Sequence, residues 1–126
     1  FGHNSGTIKN VVVGGVLSGN NYVGGISAYN EGIVFNCFNQ AIINGFGNYI
    51  GGIVGVNNGD VYDCRNEEFV YALNPDYGFA VGGIAGINNS RIKDSAVSLS
   101  TVAYAKVAGG VAGVNTRIKP KKKRVK

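Results

Sequence analysis

Residues 22–37 read YVGGISAYNEGIVFNC, and the pattern returns at 49–64 as YIGGIVGVNNGDVYDC. A third copy occupies 80–95, AVGGIAGINNSRIKDS, and a shortened fourth occupies 107–119, VAGGVAGVNTRIK. The opening FGHNSGTIKN matches the second half of the motif, so the chain starts inside a copy. Asn4, Asn30, Asn57, Asn88 and Asn115 fall at one motif position, once in every copy. Periods of this length belong to solenoids, propellers or arrays.

The pattern within each copy chooses among these. Its apolar runs are short and β-branched, and Gly and Asn break them before a helical period can develop. A propeller blade needs about 40 residues. A copy of about 27 residues suits three short strands and three turns. That predicts an all-β parallel β-helix, or β-solenoid, over residues 1–118. Strand one is expected at 23–28, 50–55, 81–86 and 108–113; strand two at 7–10, 33–36, 60–63 and 91–94; strand three near 12–17, 41–44, 69–73 and 97–103. Stacked coils then put Ile26, Ile53, Ile84 and Val111 in one interior column, and Ile8, Val34, Val61 and Ile92 in another.

Asn30, Asn57, Asn88 and Asn115 suit a corner, because Asn tolerates the left-handed region and its amide can bond the amide one rung above. Gly25, Gly52, Gly83 and Gly110 mark either a place where a side chain would clash or a bulge. Cys37 and Cys64 are equivalent, and rungs about 4.8 Å apart allow either a stacked thiol pair or a disulfide. The thiol pair is favoured, since aligned stacking is not the preferred disulfide geometry. Strand one is apolar at both parities, as in Ile53-Val54-Gly55-Val56, which predicts a face covered by a neighbouring domain or by self-association.

Charge divides the chain. Residues 1–116 carry five basic and seven acidic side chains, whereas residues 117–126 add seven basic ones and no acidic one. The segment 119–126 is expected to be a disordered basic tail. Its Lys121, Lys122, Lys123, Arg124 and Lys126 are candidates for polyanion contact, and the run also looks like a nuclear import signal. No apolar run approaches the length of a membrane span. The lack of Met, the mid-coil start and the absence of caps predict a piece of a longer array.

The copies resemble GLUG-motif repeats, sharing Gly-Gly-Ile-x-small-x-Asn-x-Gly and a downstream Asn/Asp-Cys in the copies at 22–37 and 49–64. The third copy departs at Ser90 and Ser95. Such repeats occur in bacterial adhesin-like surface proteins and near the N-terminus of immunoglobulin A1-cleaving metallopeptidases. The resemblance implies an extracellular, non-enzymatic module acting as rigid spacer and interaction surface, with a host or cell-surface protein or glycan as partner.

The residues themselves call for no cofactor or metal. The single histidine, His3, excludes an H-E-x-x-H centre, and the Gly-Gly pairs lack a phosphate-loop lysine. A glycan-cleaving reading needs Asp60, Asp63, Glu67 and Asp76 to converge in one cleft. The longer interval after Asn57 places extra residues between Cys64 and Val81, where a loop is expected. Its Glu67, Glu68, Tyr71, Asp76 and Tyr77 form the candidate ligand or partner surface. The aligned Tyr22 and Tyr49, like Phe35 and Tyr62, read as packing ladders.

Overall fold

The computed structural model describes residues 1–73, 80–97, 101–103, 107–109 and 111–115. Every element is a strand. The first coil contributes β1 (His3–Asn4), β2 (Thr7–Lys9) and β3 (Val12–Gly19). The second holds β4 (Val23–Gly24), β5 (Ser27–Asn30), β6 (Ile33–Phe35) and β7 (Phe38–Gly45). The third holds β8 (Ile50–Gly51), β9 (Val54–Asn57), β10 (Asp60–Tyr62), β11 (Arg65–Asn66) and β12 (Val70–Ala72). The fourth holds β13 (Ala80–Gly82), β14 (Ala85–Asn88), β15 (Arg91–Lys93), β16 (Ala96–Val97) and β17 (Thr101–Ala103); β18 (Val107–Gly109) and β19 (Ala112–Asn115) follow.

These strands stack into four sheets in which every pair is parallel: β1-β5-β9-β14-β19 (sheet I), β2-β6-β10-β15 (sheet II), a third built on β3, β7, β11, β12, β16 and β17 (sheet III), and β4-β8-β13-β18 (sheet IV). The fold is a β-solenoid whose coil length is the motif period read from the sequence. Register is strict, with Ile8, Val34, Val61 and Ile92 paired rung to rung.

The coils therefore build four sheets, where the sequence pattern predicts three strands per coil. The expected first strand divides at its Gly-Gly-Ile into a sheet IV strand and a sheet I strand. Gly52 shows why. A Cβ there would stand 2.2 Å from the Gly83 carbonyl oxygen and 2.4 Å from Asn66 Nδ2, so the bend closes only without a side chain. Gly55 lets sheet I lie directly on sheet IV, since its Cβ would meet backbone atoms of Ala28, Tyr49 and Tyr22 at 2.6–3.0 Å. Of the two readings of the Gly-Gly column, the clash is the one seen at Gly25 and Gly52.

The bend also accounts for strand one being apolar at both parities. Ile53 and Val54 enter the same core, together with Ile8, Ile26, Val34, Val61, Ile84 and the two cysteines. Val56 lies in register between Tyr29 and Ile87 and is 5% exposed. No outer cover is needed to bury Val54. A second core between sheets III and IV holds Val23, Ile43, Ile50, Val70 and Val81. Each fully buried Ile or Val contributes roughly 1.5–3 kcal/mol over its exposed state. Val111 is 47% exposed, not interior as its alignment with Ile84 suggests, because among the described residues its column ends there.

Candidate functional site

The corner between sheets I and II is an amide column. Asn4 Nδ2 donates to Asn30 Oδ1, Asn30 to Asn57 and Asn57 to Asn88, each at 2.9 Å, and Asn88 donates to Asn115 at 3.1 Å. Each carboxamide also ties its own turn: the N–H groups of Gly6, Gly32, Gly59 and Ser90 donate to the Oδ1 two residues earlier. None of these asparagines is left-handed. That conformation belongs to Asn10, Asn36, Asp63 and Asp94, at the corner entering sheet III, and to Tyr22 and Tyr49, at the entry to sheet IV.

A second, shorter column lies inside the coil between the two cores. Asn39 Nδ2 donates to Asn66 Oδ1 at 2.9 Å and to the Ala41 carbonyl at 2.8 Å. Both asparagines are fully buried, and Asn66 Nδ2 has no partner. Its in-register neighbour is Val97, which offers no acceptor. Sequence reasoning missed this pair, although Cys-x-Asn, at 37–39 and again at 64–66, recurs from one copy to the next and carried the signal.

Cys37 and Cys64 are free and buried. Each thiol donates to backbone carbonyls, Cys37 to Phe35 at 3.4 Å and Cys64 to Tyr62 at 3.4 Å. Burial pushes the Cys64 thiol up to about 11 from 9.0. These are core thiols, unlike the exposed, electropositive sites where a thiolate becomes reactive.

The outer face of sheet III collects part of the expected partner surface. Along β7, Phe38, Gln40, Ile42 and Asn44 alternate with the buried Asn39, Ala41, Ile43 and Gly45. Val12 and Val16 stand in register with Phe38 and Ile42 and are 58% and 62% exposed. One rung on, Tyr71 pairs with Asn44, and its ring stacks on Phe69 with centroids 5.7 Å apart. Glu67 Oε1 accepts from Gln40 Nε2 at 3.1 Å, while Glu68 Oε2 accepts the Phe69 N–H at 3.4 Å. Asp76, Tyr77 and the basic residues Lys121, Lys122, Lys123, Arg124 and Lys126 lie outside the described residues.

Among the described residues, the carboxylates of the glycan-cleaving reading, Asp60, Asp63 and Glu67, have different surroundings. Asp60 lies 4.0 Å from Arg91 Nε on sheet II. Asp63 lines an open groove of about 220 Å³ with Asn36, Arg65 and Asp94, and that groove contains neither Asp60 nor Glu67. His3 Nε2 lies 2.6 Å from Glu31 Oε1, exposed at the first coil. Among the described residues, no three His, Cys, Asp or Glu side chains are grouped to hold a metal ion, and no helix is long and apolar enough to cross a membrane.

At the sheet III to sheet IV corner, Tyr22 and Tyr49 project from equivalent left-handed positions with φ of 54° and 61°. Their ring centroids are 5.2 Å apart; Tyr22 is 46% exposed, and Phe46, on the turn that leads to Tyr49, is 42% exposed. The chain gave no significant match to any family model, to curated proteins or to solved structures.

Proposed function

We propose that this chain is a non-enzymatic, extracellular repeat module of a bacterial cell-surface protein, serving as a rigid spacer with an interaction face. The observation that carries the reading is the unbroken amide column from Asn4 to Asn115, which ties successive coils through side chains as well as through the backbone ladder. A stack joined in this way resists bending and local opening, because each buried amide released from its neighbour loses a partner it cannot regain from water. The outer face of sheet III, with Phe38, Ile42, Phe69, Tyr71 and the Gln40–Glu67 pair, is the interaction face. The likeness of the motif to GLUG repeats supports the surface setting and a host or cell-surface protein or glycan as partner.

Two measurements test this. Beads coated with the chain should attach to host-cell or glycan-coated surfaces, and Tyr71→Ala with Phe69→Ala should reduce attachment while the urea midpoint is kept. Incubation with polysaccharides should release no reducing ends. Release abolished by Asp60→Asn or Asp63→Asn would replace the spacer reading with a hydrolytic one.

A further inference from the structure

The chain places left-handed residues at two corners and fills them differently. Entering sheet III it uses Asn10, Asn36, Asp63 and Asp94, the non-glycine types that adopt this conformation most easily. Entering sheet IV it uses Tyr22 and Tyr49, for which a positive φ is a genuine outlier. Strain of this kind persists where surrounding structure enforces it, and it clusters at binding sites. Neither ring is deeply buried: Tyr22, the first of its column, is 46% exposed, and Tyr49 is half-buried.

The strained corner has a distinct chemistry. Its surface combines the tilted Tyr22–Tyr49 pair, the exposed Phe46 and the amides of Asn20, Asn21 and Asn48. Asn21 Oδ1 accepts the Asn48 N–H at 2.8 Å, which joins the two turns. Between Asn10 and Asn58 the only charged residue is Glu31.

Aromatic faces beside neutral planar amides fit a ligand with C–H faces to stack and hydroxyls to hydrogen-bond, and the lack of charge disfavours an ionic one. We propose that the Tyr22–Tyr49 corner is a binding platform for a neutral glycan chain, the two rings stacking on successive sugar units and the asparagines receiving their hydroxyls. This rests on the reading of the chain as an interaction module and assigns it a second contact surface, apart from sheet III.

The test uses the whole chain and a panel of neutral hexasaccharides (β-glucan, α-glucan, mannan and xylan types), with an oligouronate as the charged comparison. Binding is followed by tyrosine fluorescence, which seven tyrosines and no tryptophan make readable, and by calorimetry. At least one neutral hexasaccharide should bind. Tyr22→Asn and Tyr49→Asn should each weaken it tenfold or more, with the urea midpoint unchanged or raised, because Asn accepts the left-handed backbone. A purely packing role would instead lower the midpoint and leave affinity unchanged, and that result overturns the proposal. So does failure of every neutral hexasaccharide to bind, or preference for the oligouronate. Release of reducing ends from a bound sugar would refute the non-enzymatic reading and leave the binding site standing.

Discussion

Replacing Asn57 by alanine removes the middle of the amide column. Asn57 Nδ2 donates to Asn88 Oδ1 at 2.9 Å, to the Gly59 carbonyl at 3.0 Å and to the Arg91 carbonyl at 3.0 Å. Its Oδ1 accepts from Asn30 Nδ2 at 2.9 Å and from the Gly59 N–H at 3.2 Å. Two donor protons shared among three acceptors count as about two bonds, which with the two accepted bonds makes about four. At about 1 kcal/mol net each, the loss is roughly 4 kcal/mol. Asn30 Nδ2 keeps the Gly32 and Asp60 carbonyls, which moderates the loss, whereas the Gly59 N–H loses its side-chain acceptor. Asn57→Ala should therefore destabilise the fold by about 3–5 kcal/mol. Asn58→Ala, one residue on and exposed, should cost under about 1 kcal/mol. Urea unfolding followed by circular dichroism and by tyrosine fluorescence measures both, and coincident curves show whether the stack melts as one unit. A loss below about 1 kcal/mol for Asn57→Ala would mean that the column is incidental to coil stacking.

Other consequences are independent of this one. Gly52→Ala drives a methyl group into the Gly83 carbonyl and the Asn66 amide, and should cost about 3 kcal/mol or more in the same urea assay; a neutral result would refute the account of the bend. Val97→Asn offers Asn66 Nδ2 an acceptor, and the pair should gain a favourable coupling of about 1 kcal/mol set against the loss of Val97's packing on the core. That gain should vanish in an Asn66→Ala background, as a double-mutant cycle would show. The Cys64 thiol, held at about 11 against 9.0, makes stability flat below pH 9 and lets it fall as pH rises towards 11, because the unfolded chain ionises first. The slope approaches at most about 1.4 kcal/mol per pH unit, and it should be absent from Cys64→Ala when urea midpoints are compared across pH 8–11.

Much of the architecture was legible because a solenoid is a local code repeated. Asparagines recurring once per copy, with Ile8, Val34, Val61 and Ile92 four residues after Asn4, Asn30, Asn57 and Asn88, announce the coil length and the columns. What the linear pattern hid was the bend inside Gly-Gly-Ile. A run such as Ile50-Gly-Gly-Ile-Val-Gly-Val reads as one buried strand, and only the contacts of Gly52 with Gly83 and Asn66 show that it folds back. Likewise, Asn39 and Asn66 fell outside every expected strand, and their burial depends on the opposing glycines Gly25 and Gly52. Of the expected partner surface, Glu67, Glu68 and Tyr71 come together on or beside sheet III because successive rungs place Phe38–Gly45 alongside them. The Tyr22–Tyr49 alignment was visible too, but its left-handed backbone was not.

The sequence by itself determined the period, the all-β class and the vertical neighbours, because parallel in-register stacking makes each residue's partner the equivalent residue of the next copy. Tertiary structure alone decided the cross-section: how many sheets a coil has, which corners are left-handed and which asparagines are sealed inside. Those features depend on contacts across the coil between unlike residues, where van der Waals exclusion and hydrogen-bond saturation act, and repetition along the chain carries no record of them.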